Sequence, residues 1–437
     1  MVYLNLVRSN KKWSGFSWLI KNQYLFILIA LVFHADKLFL GSFEPIIIHD
    51  TFTSEFQRYE AAGELLTKHG LFAWFPNMTG GLPSYAWHYS PFYILCLMSI
   101  IVPSWIIYAL LVIVPMILAG RGMQRFLNER LKVTPWCAMA GGLFFMFSGQ
   151  LMERTPVLIF YHVFPIFFMW FTDFFDHKTS LAQKLPKIIG LNLILLVSYP
   201  THLLPMFPIL QILMILLLYY EEKNKMKKLL VWSVVIWAGY ILTWAPVLYS
   251  LFDFIPYFHR TYDKNLSFLH FFPSFLHFLK RVLSLFVTSS LYSITLPFVI
   301  AGLVSIAFSR KVRNLFMILF ILLIIFAFFD VGYFHKMLLN GKIDISQFRF
   351  MIFFAIPVFS FVSLDEISLR GALKLKSGYC ILPIIVTVVM LVIVLNTDNL
   401  LRKAFLVNFY ALNIIGFILT ICVYLYVISP QKDAVYR

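Results

Sequence analysis

"YLFILIALVFHADKLFLGSFEPIII", residues 24 to 48, is a long apolar run near the start of the chain. A helix of about 20 apolar residues crosses the hydrocarbon core of a bilayer. The ionisable residues of the run, His34, Asp36, Lys37 and Glu44, lie in its middle and later part. Charges inside a membrane are costly and normally face a cavity or a partner. The run therefore predicts a transmembrane helix whose later part approaches a membrane surface.

Similar apolar runs recur along the rest of the chain. Hydrophobic residues make up 61% of its 437 residues and charged residues only 13%. The runs are continuous and do not alternate with polar residues, which argues against a β-barrel. We predict an all-α, polytopic membrane protein of about twelve transmembrane helices. The predicted spans are Tyr24 to Ile48, Trp105 to Gly120, Val133 to Ser148, Leu158 to Phe175, Ile188 to Pro200, Pro205 to Tyr220, Leu229 to Tyr249, Leu291 to Phe308, Leu315 to Asp330, Phe350 to Leu364, Tyr379 to Leu395 and Ala404 to Ile428.

The net charge of +16 is unevenly distributed between the two sides of these spans. With a cytoplasmic N-terminus, the inside segments hold 23 Lys and Arg and the longer outside segments hold 12. By the positive-inside rule, this predicts that both termini are cytoplasmic. The basic composition then reports topology, and we expect no nucleic-acid partner. The inside segments are 1–21, 121–132, 176–187, 221–228, 309–313, 365–376 and 430–437.

The chain has no stretch long enough for a separate soluble domain, so we predict one integral membrane unit. It divides into a transmembrane module over 1–220, which includes the first outer loop 49–90, and a second module over 221–437 with outer loops 250–290 and 331–349. Long loops between membrane helices usually carry function. In the first loop, an apolar residue recurs at helical spacing at Phe52, Phe56, Tyr59, Ala62 and Leu66. This predicts an amphipathic helix at the outer surface, capped by Asp50 or Thr51.

Several placements in the sequence resemble one family. The pair His49-Asp50 follows the first span, an interfacial helix comes next, and "GGLPSYAWHYSP" (80–91) returns the chain to the membrane. The segments "LAGRGMQRFLNERLKVTPWCAMAGGLFFMFSGQ" (118–150) and "SQFRFMIFFAIP" (346–357) add to the pattern. Together they resemble the polytopic glycosyltransferases of the GT-C superfamily. Within it they are most similar to bacterial members and to phage-borne O-antigen glucosyltransferases that convert serotype.

This resemblance implies a function on the periplasmic side of a bacterial inner membrane. A sugar, glucose by the same resemblance, would pass from a polyprenyl-phosphate donor to an O-antigen or another lipid-linked glycan. An acidic residue of the first outer loop would be the catalytic base, which points to Asp50 here. The expected partners are the donor, the acceptor and membrane lipid. Association with a synthase and a flippase that supply the donor is a further expectation.

The same chemistry can be argued from residue types. Transfer from a lipid phosphate needs a base for the acceptor hydroxyl, cations for the departing phosphate and an apolar groove for the lipid. Asp50 supplies a carboxylate, and Arg349, Arg154 and His49 are candidates for the phosphate because guanidinium binds phosphate oxygens through two parallel hydrogen bonds. The candidates for contact with the sugar or acceptor are Trp74, Tyr85, Trp87, His88 and Tyr89.

Other interpretations of these residues stay open. Asp50 can act only as a helix cap, the arginines can extend to lipid headgroups, and Trp and Tyr are common in the aromatic belts of membrane proteins. The family often has an Asp-Asp or Glu-Asp pair where this chain has His49-Asp50, so we assign no metal and no other cofactor. An O-antigen polymerase or ligase is the nearest alternative enzyme, and a flippase of lipid-linked sugars is the non-enzymatic alternative.

Overall fold

The computed structural model describes residues 24–40, 56–70, 74–75, 82–83, 94–146, 160–175, 180–198, 207–246, 248–249, 309, 311–318, 321 and 349–369. Helices dominate this part of the chain. They are α1 Tyr24–Phe33, α2 Ala35–Leu40, α3 Phe56–His69, α4 Ile94–Met98, α5 Ser104–Arg125, α6 Pro135–Met146, α7 Phe164–Phe174, α8 Leu181–Val197, α9 Phe207–Tyr219, α10 Lys223–Thr243 and α11 Arg349–Leu369. A π-helix, Phe126–Arg130, continues α5, a 3-10 helix, Phe160–Val163, precedes α7, and residues 311–318 are also helical.

The helical class predicted from the sequence is confirmed over the described residues. Two helices, Ser104–Arg130 and Lys223–Thr243, are long and apolar enough to cross a membrane, judged by length and composition. The number of twelve spans remains a prediction. One small feature was not predicted: β1, Trp74–Phe75, pairs antiparallel with β2, Leu82–Pro83.

Two of the helices begin well before the apolar segments that predicted them. α8 starts at Leu181 and α10 at Lys223, whereas the predicted spans begin at Ile188 and Leu229. Lys and Gln favour helices nearly as well as Leu, so a helix can begin before its apolar core where such residues precede that core. At the start of α8, the backbone N–H of Ser180 donates to the side chain of Gln183 at 3.3 Å, as in a capping box. Hydropathy therefore located these helices but not their polar ends.

The predicted first span is divided at His34. α1 ends at Phe33 and α2 begins at Ala35, and the buried imidazole of His34 lies edge-on to the Phe33 ring. α1 packs against α5 through Phe26, whose ring is so close to Gly120 that a Cβ there would lie 2.6 Å from it. The first apolar run is thus packed into the bundle by its first ten residues.

Glycines line the contacts at the centre of the bundle. A Cβ at Gly122 of α5 would lie 2.5 Å from the backbone nitrogen of Ile166 in α7, and a Cβ at Gly142 of α6 would lie 2.6 Å from the carbonyl oxygen of Gly120. Small residues allow this close approach of helix backbones, which is how membrane helices associate when the surrounding lipid is as apolar as they are. The most apolar window of α5 is 67% buried, against 22% for α10. α5 is therefore central and α10 peripheral.

Phenylalanine rings fill the space between α5, α6, α7 and α11. The Phe354 ring of α11 lies 5.5 Å from Phe126, 5.2 Å from Phe164 and 6.3 Å from Phe145, measured between ring centroids. Phe164 also meets Phe207 of α9 at 5.2 Å. Offset and edge-to-face geometries of this kind add to the burial of apolar surface. The high phenylalanine content of the chain, 48 residues, is in part a packing requirement of this core.

Candidate functional site

Most residues of the predicted outer site lie outside the part of the chain that the structure describes. They are Asp50, His49, Arg154, Tyr85, Trp87, His88 and Tyr89. Trp74 and Arg349 are described by their backbone positions only. Arg349 is the first residue of α11, and Trp74 is the first residue of β1. The roles assigned to all nine residues therefore stay predictions.

The backbone of Trp74 lies in a short antiparallel strand pair. Trp74 pairs with Pro83 and Phe75 with Leu82, so residues 76–81 connect two antiparallel strands. Because Pro83 has no N–H to donate, it is tolerated in a pair only at an edge or a strand end. The pairing fixes the backbone of Trp74 beside that of Pro83.

The helix predicted in the first outer loop is confirmed as α3. It packs against α4 and α5. At its centre, Gly63 approaches the turn after α4 so closely that a Cβ would lie 2.4 Å from the hydroxyl oxygen of Ser99 and 3.3 Å from the backbone nitrogen of Ile100. Pro103 then begins α5 at Ser104. The loop helix is therefore attached to the Ser104 end of α5.

The surface of α3 away from this contact is polar. The ammonium of Lys68 donates to the carboxylate of Glu64 one turn earlier, and the hydrogen bond and charge of Lys68 lower the pKa of Glu64. Thr67 donates from its hydroxyl to the Gly63 carbonyl at 3.1 Å. An exposed pair of this kind contributes little to stability. α3 therefore depends on its packing against the rest of the bundle for its position.

A buried charge cluster lies at the other end of α5. Asp173, near the end of α7, accepts hydrogen bonds from Arg125 at 3.1 Å, from Arg130 at 2.5 Å and from Lys187 of α8 at 2.8 Å. Arg125 also donates to both carboxylate oxygens of Glu129, at 2.7 and 2.9 Å. We call these five residues the Asp173 cluster. It joins three helices through charge-assisted hydrogen bonds, which are about twice as strong as neutral ones.

A second polar contact at the same end connects the later part of the chain to the α5–α6 turn. The carboxylate of Asp365 accepts from the backbone N–H of Thr134 at 3.0 Å and from its hydroxyl at 2.6 Å. The ammonium of Lys311 donates to the carbonyl of Leu131. Burial raises the pKa of Asp365 above its usual range although the Thr134 hydrogen bonds oppose this, and burial lowers the pKa of Lys311. The turn between α5 and α6 therefore contacts two residues of the later part of the chain, Lys311 and Asp365.

These contacts define the two ends of the bundle. Arg125 near the end of α5 and Asp365 near the end of α11 both lie at the charged end, so α5 and α11 run in the same direction. Their first residues, Ser104 and Arg349, therefore lie toward the opposite end. Sixteen residues separate Arg349 from Asp365, which is about 24 Å along a helix. Arg349 therefore begins α11 toward the end at which α3 packs, far from the Asp173 cluster.

Sequence reasoning missed the Asp173 cluster. The predicted Leu158 to Phe175 span includes Asp173 as an unexplained carboxylate among phenylalanines. A signal was present, because an acidic residue two positions before the end of an apolar run is followed by a basic segment, 176–187, that supplies cations. No group of three or more His, Cys, Asp or Glu side chains that suits a metal ion occurs among the described residues.

No protein-family model, curated protein or solved structure matches this chain.

Proposed function

We propose that this chain is a membrane glycosyltransferase that moves a sugar, glucose in the first instance, from a polyprenyl-phosphate donor to an O-antigen or another lipid-linked glycan. The reaction takes place on the periplasmic side of a bacterial inner membrane. The proposal rests on the resemblance of the sequence to GT-C glycosyltransferases and on the chemistry of the residues after the first span. Asp50 acts as the base, and Arg349, Arg154 and His49 bind the donor phosphate.

The observation that supports it best is the position of α3. A helix of the first polar loop packs through Gly63 against the turn before α5, at the end away from the Asp173 cluster. Arg349 begins α11 toward that same end. The first polar loop and the start of α11 are therefore at the same end of the bundle, as a shared site for Asp50 and Arg349 would require.

The arrangement of charge gives a second line of support. The segments 121–132, 176–187, 309–313 and 365–376 were all assigned to the cytoplasmic side by their Lys and Arg content. Arg125, Lys187, Lys311 and Asp365 meet at one end of the bundle, as this assignment requires. The exposed apolar side chains of α10, such as Val234 and Leu242, suit a lipid-facing surface.

The direct experiment uses the purified chain in liposomes with a polyprenyl-phosphate glucose donor, labelled in the sugar, and a lipid-linked O-antigen acceptor. We expect labelled acceptor to form, and a parallel reaction with a chelator tests for a divalent-metal requirement. A polymerase or ligase would use a lipid-linked oligosaccharide as donor instead. A flippase would move the donor across the bilayer and leave the acceptor unlabelled, which would contradict the proposal.

Arg349 offers a test of donor binding. Arg349→Lys keeps the charge but loses the planar fork that binds two phosphate oxygens. A lost charge-assisted hydrogen bond is worth about 1.5 to 3 kcal/mol, so we expect transfer to slow by about 10-fold or more at low donor concentration. Arg313→Gln, a change at an exposed arginine at the charged end, is the control. Unchanged transfer in Arg349→Ala at a normal protein level would exclude Arg349 from the site.

A further inference from the structure

Arg121 is an exposed arginine inside an apolar helix. It lies one turn before Arg125, within the stretch Ser104–Arg130 that is long and apolar enough to cross a membrane. At 1.5 Å per residue it is about 6 Å deeper than Arg125. Arg121 is also the first residue of the predicted inside segment 121–132, so it lies at the membrane surface, where its side chain can reach the headgroups. Arg121 can therefore meet an anion near the membrane surface.

The nearby carboxylates are already engaged. Both oxygens of Glu129 accept from Arg125, and the carboxylate of Asp173 accepts from Arg125, Arg130 and Lys187. Within the part of the chain that the structure describes, Arg121 has no salt bridge and no hydrogen bond from its side chain. Its closest electrostatic neighbours are the like charge of Arg125 and the occupied carboxylate of Glu129. Among the described residues, Arg121 therefore has no anionic partner of its own.

The charges around Arg121 sum to a positive surplus. Four cations, Arg121, Arg125, Arg130 and Lys187, face two carboxylates, Glu129 and Asp173, which leaves two positive charges. Basic surfaces between membrane helices attract anionic lipid headgroups.

Two lysines add to this surplus beside the end of α7. The ammonium of Lys184 lies 5.7 Å from the centre of the Phe174 ring, and that of Lys228 lies 5.8 Å from the centre of the Phe175 ring. Neither contact brings a negative charge. Cations over aromatic faces are typical of the boundary between an apolar core and water. This end of α7 therefore has the properties of a headgroup region.

An apolar stripe leads along α5 to Arg121. Leu110 and Val114 are 45% and 43% exposed, and Ile117 is partly exposed. Positions 110, 114, 117 and 121 recur at helical spacing and lie on one face. The stripe is about 16 Å long, close to the thickness of one leaflet of a bilayer core of about 30 Å. An acyl chain along the stripe would bring its phosphate to Arg121.

We propose that this face of α5 binds an anionic phospholipid, with Arg121 as the direct ligand of the headgroup phosphate. The guanidinium donates two parallel hydrogen bonds to phosphate oxygens. The net positive charge of the Asp173 cluster adds to the attraction for the anionic headgroup, and one acyl chain lies against Leu110, Val114 and Ile117. This site is separate from the proposed sugar-transfer site and does not depend on that function.

The test measures lipid retention by the full-length protein. Purified, delipidated protein is mixed with phosphatidylglycerol or phosphatidylcholine of the same acyl chains, and bound lipid is counted by native mass spectrometry. We expect phosphatidylglycerol to bind in preference to phosphatidylcholine. Arg121→Gln should weaken the binding of phosphatidylglycerol by about 10-fold or more, as the loss of a charge-assisted pair implies. Arg121→Lys keeps the charge and loses the planar fork of the guanidinium. Its affinity for phosphatidylglycerol should lie between those of the unmodified protein and Arg121→Gln.

The matched control is Arg313→Gln, which removes an exposed arginine of the predicted inside segment 309–313, outside α5. It should retain the binding of the unmodified protein. Equal losses in the Arg121 and Arg313 variants would mean unspecific attraction and would overturn the site. Equal binding of the two lipids would overturn it as well. Should Arg121→Gln fold poorly by circular dichroism, Arg121→Lys decides: binding equal to that of the unmodified protein contradicts the role of the fork.

Discussion

Asp173 is the residue on which the charged end of the bundle depends. Its carboxylate accepts from three cations that lie on α5, the π-helix after it and α8, and its side chain is only 10% exposed. The three donors are themselves 16% to 20% exposed. Removing one partner of a buried ion pair costs far more than the pair contributes, because it leaves the remaining charge without compensation.

We therefore expect Asp173→Asn to destabilise the protein strongly. Asn has nearly the same shape, but it leaves Arg125, Arg130 and Lys187 around a neutral group. The loss should be about 3 kcal/mol, measured as a lower midpoint of thermal unfolding in detergent. Glu64→Gln is the control, because it removes an exposed carboxylate whose partner Lys68 is also exposed, and it should leave the midpoint unchanged. Equal midpoints for Asp173→Asn and the unmodified protein would show that the cluster does not hold the helices.

At the scale of elements, glycine decides how closely the helices approach. The contact of α5 with α7 leaves no room for a side chain at Gly122, where an added Cβ would meet the backbone of Ile166 at 2.5 and 3.0 Å. A backbone cannot move aside as the end of a flexible side chain can. By contrast, Gly239 in α10 has nothing within 4 Å of an added Cβ. The two positions form a matched pair for one substitution.

Gly122→Ala should separate α5 from α7 and lower the thermal midpoint, since overpacking of a tight core costs about 1 to 3 kcal/mol. Gly239→Ala should leave the midpoint unchanged or raise it, because alanine in a helix interior is more stable than glycine by about 0.5 to 1 kcal/mol. Unfolding of both variants, followed by circular dichroism in the same detergent, makes the comparison. A tolerated Gly122→Ala would contradict the described approach of α5 and α7.

For the whole molecule, the alternation of basic and neutral segments predicts which loops share a side. The structure brings four of the predicted inside segments to one end of the bundle. A cysteine at Asn224, in a variant without the four native cysteines, should react with a membrane-impermeant reagent only after the inner membrane is opened. A cysteine at Asn265 should react in intact spheroplasts. Labelling of both from the same side would contradict the twelve-span topology.

Within the described residues, sequence patterns located the apolar helices because such a helix depends on a long apolar run, which is a local property. The predicted spans Leu291 to Phe308, Tyr379 to Leu395 and Ala404 to Ile428 lie outside the described residues. Sequence patterns also located α3, whose apolar residues recur at helical spacing. They could not find the Asp173 cluster, since Asp173 and Arg125 are 48 residues apart and only the packing of α5 on α7 brings them together. The division of the first span at His34 was missed for the same reason. The burial of His34 depends on neighbouring helices, and no local sequence pattern describes their positions.

The central claim is that Asp50 is the base of a sugar transfer, and one substitution separates this role from helix capping. Asn caps a helix about as well as Asp, so Asp50→Asn should keep the folding and abundance of the protein. It loses the basic carboxylate, so transfer of labelled sugar from polyprenyl phosphate to the acceptor should slow by about 10²- to 10⁴-fold. Asp50→Glu, which moves the carboxylate by one methylene, should retain part of the rate. Near-normal transfer by Asp50→Asn, normalised to the amount of protein, would contradict the claim and reduce Asp50 to a helix cap.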